Sequence, residues 1–232
     1  MSTYLEMVQK AIRKSGAKVD APTTIVGATG ITELFVEWVQ DAWKEIQLEH
    51  LGWNWRVSRD ETLAITSATD EYAIPATLES FDKRTVSVYD AVDDESPVDF
   101  VDYHYWRIHL DKLNPTAASK PIKYTITPDD MIAFYPAPDQ NYTVRFDGLT
   151  NVEILDDTDD ADTPTGIGSV YHDGIVWRAI MYYAAHFEDG AKLAEATDRY
   201  RPYQKFFEER EQEDVTLDTT AMYRRNASGR WW

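Results

Sequence analysis

The chain of 232 residues contains no cysteine. That absence excludes a disulfide framework, thiolate metal sites and a cysteine nucleophile. Basic residues are scarce: 23 Lys+Arg stand against 41 Asp+Glu, a formal charge of -18. A net field of that sign repels a polyanion, which argues against gripping DNA by phosphate neutralisation but not against DNA passing nearby. Long apolar runs are missing too. Glu37, Asp41, Arg178 and His186 interrupt the most apolar stretches, well short of the roughly 18 residues that a spanning helix needs. Met1 to Lys10 lack the apolar core of a signal peptide, so a soluble protein of a cytosol-like compartment is expected. Aromatics, by contrast, are plentiful. With 8 Trp, 14 Tyr and 8 Phe in a 43% apolar composition, the chain has the material for a real core and is no disordered acidic polymer.

Periodicity organises the chain. Thr3 and Glu6 form a capping-box pattern ahead of Leu5, Val8, Ala11 and Ile12, and Gly16 closes that helix. Residues 17–30 read as a loop. A second helix is predicted from Ile31 to His50, with Leu34, Trp38, Ala42, Trp43 and Ile46 on its packing face. Alternation then replaces the helical period. Trp53, Trp55 and Val57, Leu63 and Ile65, Tyr72 and Ile74, and residues 85–89 predict short strands. Residues 123–126, 131–135 and 142–146 predict three more, joined by Thr127–Asp130 and Pro136–Asp139 turns. Val98 to Leu110 reads as a short helix or bent segment. Helical spacing returns with Val176, Ile180, Tyr183 and Phe187, then with Ala191 to about Glu213, where Pro202 is a candidate kink. The order predicts an α+β fold. Residues 1–52 and 169–214 would form a helical bundle, 53–150 a β-rich insertion, 151–168 an acidic linker and 215–232 an extended C-terminal arm.

Candidate chemistry is thin. Gly27-Ala28-Thr29-Gly30 precedes a helix, but Ile31-Thr32 follows where a phosphate loop needs Gly-Lys-Ser/Thr, so a turn with a helix cap is expected. Asp156–Asp162 resembles half of a Ca²⁺ loop. Counting from Asp157, however, the sixth residue is Asp162 rather than Gly and the twelfth is Gly168 rather than Glu. The five histidines, His50, His104, His109, His172 and His186, lack zinc-ligand spacing. No Gly-x-Ser-x-Gly motif is present, and no cofactor is expected. With 41 acids, a carboxylate pair for glycan hydrolysis can always be found by chance.

The tail differs from the body. Residues 215–232 hold one acid, Asp218, and three arginines, a charge of +2, which leaves 40 acids, 20 bases and a charge of -20 in residues 1–214. Met222, Tyr223, Arg224, Arg225, Arg230, Trp231 and Trp232 are of the types enriched in interface hot spots, so a docking arm for another chain is expected here.

The opening segment carries a resemblance. Tyr4-Leu5-Glu6-Met7-Val8-Gln9, the loop Pro22–Gly30, the run Val36-Glu37-Trp38-Val39-Gln40-Asp41-Ala42-Trp43-Lys44-Glu45-Ile46-Gln47 and Gly52-Trp53-Asn54-Trp55-Arg56 follow one another. Together they resemble the head-to-tail adaptors of short-tailed double-stranded DNA bacteriophages. Ala184 to Leu193, through Tyr200, is similar to their C-terminal helical hairpin. The resemblance implies a structural virion protein without cofactor, assembled in the host cytoplasm as a dodecameric ring at the portal–tail junction. Its partners would be further copies of itself, the portal protein and tail nozzle or fibre proteins. DNA would pass through the channel unbound, no membrane would be involved, and the arm would embrace the portal. The alternatives are a virion peptidoglycan or glycan hydrolase using a carboxylate pair, and a stand-alone acidic binding module.

Overall fold

The computed structural model describes residues 2–49, 53–67, 69–90, 95–111, 118–211 and 222–224, with only the backbone described for 210, 211 and 222–224. Along the chain run α1 (Tyr4–Ser15), α2 (Ile31–Glu49), a 3-10 turn (Asn54–Arg56), β1 (Val57–Ile65), β2 (Glu71–Ala73), β3 (Leu78–Asp82), β4 (Ser87–Tyr89), β5 (Ser96–Pro97) and β6 (Asp99–Phe100). Then come α3 (Tyr103–His109), β7 (Lys123–Ile126), β8 (Met131–Tyr135), β9 (Tyr142–Thr150), a second 3-10 turn (Ser169–Tyr171), α4 (His172–His186), α5 (Gly190–Glu211) and β10 (Met222–Arg224). The fold is α+β. It divides into a helical unit, Met1–Arg56 with Val152–Val215, and a β unit, Val57–Asn151 with Thr216–Trp232.

In the helical unit, the Thr3 hydroxyl accepts the Glu6 N–H at 3.2 Å and the Glu6 carboxylate takes the Thr3 N–H at 3.3 Å. This reciprocal cap satisfies two donors at the start of α1. The Tyr4 and Leu5 N–H groups donate to the carbonyls of Asp162 and Asp160, so the acidic segment closes the same helix end. Tyr4, Met7, Val8, Ala11 and Ile12 of α1 and Phe35, Val39, Ala42, Trp43 and Ile46 of α2 are fully buried. Both helices pack on α4, which buries Ile175, Val176, Ala179 and Ile180 and packs on α5 as well. Each large side chain so buried contributes about 1.5–3 kcal/mol.

Ala42, Trp43, Ile46, Val176 and Ile180 sit in the core. Trp38 and Tyr183 are half-buried against it, and Leu34 is half-buried. Phe187 departs from expectation. It is the residue after the last turn of α4 and is 48% exposed, because the helix ends before its side chain can turn inward.

Trp53 and Trp55 also depart from the predicted strand. Their rings stack at 4.5 Å, Phe207 stands edge-on to both, and the Trp53 indole N–H donates to the Ile46 carbonyl at 2.7 Å. A strand holds residues two apart at roughly 6.6 Å. The 3-10 rise of about 2 Å per residue brings such residues within stacking distance.

The β unit contains two sheets. One has the order β10-β3-β9-β4-β5, with β1 on the other edge of β9, and the second has the order β2-β8-β7-β6. β9 is the spine. It pairs antiparallel with β1 from Val57↔Leu149 to Ile65↔Tyr142, across a bulge where Asp60 adopts φ 58. Along its opposite edge lie β3, with Phe81↔Gly148, and then β4, with Val88↔Val144. The turn between β3 and β4 is knotted by Asp82, whose carboxylate accepts the Arg84 N–H and whose carbonyl accepts the Thr85 N–H and hydroxyl. Ile65, Phe81, Val88, Val144 and Phe146 meet Tyr124, Ile126, Ile132 and Phe134 of the second sheet in one core. On the outer face of that sheet, Trp106 and Leu110 of the α3 segment cover Ala133. Alternation along β8 makes both contacts possible, since Ile132 and Phe134 point opposite to Ala133.

Candidate functional site

The segments that carried hints of chemistry serve the fold. In the Gly27–Gly30 loop, the Ala28 N–H donates to the Ile25 carbonyl and the Gly30 carbonyl accepts the Leu34 N–H, so those groups build a turn and start a helix. In the acidic segment the carboxylates are used locally. Asp156 Oδ1 accepts the N–H and hydroxyl of Thr158 at 2.9 and 2.6 Å, Asp162 accepts the Asp156 N–H at 2.7 Å, and Asp160 accepts the Ile25 N–H at 2.7 Å. Among the described residues, no three His, Cys, Asp or Glu side chains converge as metal ligands. His172 is buried, with Nδ1 3.0 Å from the Ser2 carbonyl, and burial pushes its pKa below the ordinary value. No helix among the described residues is long and apolar enough to cross a membrane.

Glu45 and Asp173 in the helical unit are partly buried and paired. Burial alone would raise Glu45, but donors from Tyr182 and Arg178 outweigh it and hold it below the usual carboxylate range. The same balance applies to Asp173, where burial is outweighed by Lys14 and Lys10 at 2.9 and 3.1 Å. At the surface, Thr158 lowers Asp156 and Lys192 lowers Glu195. A glycan-cleaving acid needs the opposite shift, a carboxyl kept protonated near neutrality. None of these four has it.

Exposed aromatic and apolar side chains are better defined. In the helical unit, rings step outward from the core. Buried Phe35 stacks on Tyr183 at 5.3 Å and meets Trp38 at 5.2 Å, Trp38 faces His186 at 5.5 Å, and Tyr183 faces Phe187 at 5.0 Å. In the β unit, Phe100, Tyr105, Ile108 and Ile122 are exposed, with Lys83 4.3 Å from the Phe100 ring centre and Lys123 5.8 Å from that of Tyr105.

The arm residues divide. Met222, Tyr223 and Arg224 form an edge strand on β3, antiparallel, in the register Met222↔Asp82, Tyr223↔Phe81 and Arg224↔Ser80. Sequence reasoning saw no periodicity there, and three residues are too few to show one. Arg225, Arg230, Trp231 and Trp232 lie outside the described residues. Where described, the segment is thus a short strand paired with β3 of its own chain.

A search of curated proteins finds no significant match. Residues 2–228 match the SU10 adaptor protein family, and the chain therefore belongs to that family of bacteriophage structural head-to-tail adaptors.

Proposed function

We propose that the chain assembles as a dodecameric ring at the portal–tail junction of the virion, joining the capsid portal to the tail nozzle or fibre proteins around the DNA exit channel. The observation that carries this reading is the character of the C-terminal segment. Met222–Arg224 add to a sheet edge, and beyond that strand the sequence bears Arg225, Arg230, Trp231 and Trp232. Aromatic and arginine side chains at a chain end suit a pocketed protein partner, here the portal. The body, at -20 over residues 1–214, suits a lumen along which DNA slides without adhering, provided that acidic side chains face inward. A ring structure whose channel is lined with Lys and Arg would refute that arrangement.

The docking role is tested by removing residues 225–232 while keeping Met222–Arg224. Portal binding, followed by co-sedimentation, is expected to be lost while thermal unfolding of the body stays unchanged. Undiminished binding to the portal would remove the arm from the interface.

A further inference from the structure

The edge of β3 has one face to β9 and the other to β10. Without β10, the edge of β3 over Ser80–Asp82 would lose its ladder partner, leaving a template on which another chain's strand adds. Donor and acceptor are both present in one chain, as separate segments paired in one sheet. We propose that in the assembled ring the β3 edge takes the Met222–Arg224 strand of the neighbouring copy, so that each subunit completes the sheet of the next. The inference rests on the ring reading and specifies its subunit contact.

Three observations support exchange. First, a donor strand from one segment and an acceptor edge from another, when exchanged between copies, make a head-to-tail contact, the kind that can propagate round a ring and close it. An isologous pairing would stop at a dimer. Second, ten residues, 212–221, separate the last residue of α5, Glu211, from β10. A linker of that length can span up to roughly 33–36 Å. The three register pairs are the same whichever copy supplies the strand, so exchanging it costs little pairing energy. Third, charge decides what exchange gains. The -20 bodies repel one another, and the tail of residues 215–232 carries the opposite sign, +2. Kept at home, the tail neutralises its own body and leaves the interface repulsive. Passed to the neighbour, it turns the same attraction into a bond between subunits. Within a ring it acts at the high local concentration that tethering provides.

The chain's lack of cysteine makes the test clean. Ser80 and Arg224 stand opposite each other in the register, where antiparallel partners lie about 4.5–5.5 Å apart at Cα, within disulfide range. Ser80→Cys and Arg224→Cys are prepared as separate variants, mixed in denaturant, co-assembled with wild-type portal and oxidised mildly. A disulfide between these two variants can only join different chains. The expected result is covalent dimers on a non-reducing denaturing gel, absent when either variant is oxidised alone. The S80C/R224C double variant is expected to give a ladder of multimers. Intact rings without dimers from the mixture, or with the double variant bonded only within single chains, would overturn strand exchange and leave the ring standing. Failure to form rings at all, seen by mass photometry of the same samples, would remove the ring reading and the exchange with it.

Discussion

Gly16 and Gly166 share the same backbone conformation, φ +80, but differ in what surrounds them. An alanine in that left-handed region costs roughly 1–2 kcal/mol at either position. At Gly16 nothing lies within 4 Å of the added Cβ, so the backbone term is the whole cost. At Gly166 the new atom would sit 2.5 Å from Trp55 Cβ and 3.1 Å from its Cγ. Trp55 cannot swing clear, because its Cβ is fixed to the 3-10 turn and its ring is held between Trp53 at 4.5 Å and Phe207 at 5.8 Å. Overpacking of this kind adds about 1–3 kcal/mol. Gly166→Ala should therefore cost roughly 2–5 kcal/mol against 1–2 for Gly16→Ala. A chain of this size loses about 2–4 °C in Tm per kcal/mol, so a central difference of about 2 kcal/mol places the G166A melt some 4–8 °C below that of G16A. Tryptophan near-ultraviolet circular dichroism during heating reads the transition at the affected rings. Equal Tm losses in the two variants would refute the claim that the Trp53–Trp55 stack is packed tightly against residue 166.

Asp173 supports a pH-dependent contribution. Its carboxyl is held below the ordinary range by Lys14 and Lys10, so the stabilisation is present above the unfolded value of about 3.9 and is lost as pH falls through the lower folded value. The side chains are about one-third exposed, which limits the cost of Asp173→Asn to about 1 kcal/mol at pH 7. Urea denaturation should show the gap between wild type and D173N narrowing as pH falls below about 3.9, and a gap that stays constant on acidification would contradict the pairing. Trp43 is fully buried and donates its indole N–H to Glu153 Oε2 at 2.9 Å, an oxygen that also accepts the Thr165 N–H. Trp43→Phe removes a donor to a charged acceptor and leaves space, a loss of roughly 3 kcal/mol in guanidinium titration. Glu153→Gln, which retains an acceptor, should lose less than half as much; equal losses would contradict the bond.

The helices were legible because each writes its own period. The capping box of α1, the Gly16 stop and the buried stripe of α2 are local features, and the structure repeats them with α2 ending at Glu49. The hairpin strands β7 and β8 were legible for the same reason, with a short polar turn between two apolar runs. What escaped depends on distant partners. β3 follows Pro75 and carries Glu79, Ser80 and Asp82, so its five residues show no clean alternation; its strand character comes from pairing with β9, some 70 residues away. The Trp53–Trp55 pair has strand-like spacing, yet the helical core and Phe207 claim both rings. In the acidic segment the count of carboxylates was visible, but not that the carbonyls of Asp160 and Asp162 finish α1 from about 155 residues away. Of the arm, composition marked the residues and left open that three of them form a strand on β3.

Assembly on the portal tests the central claim most directly. Mass photometry of the full chain, alone and with purified portal, reads the stoichiometry of the complex. A dodecamer of a 26.7 kDa chain adds about 320 kDa to the portal, and that increment is expected as a single discrete species. A chain that remains at its monomer mass in the presence of portal would contradict it.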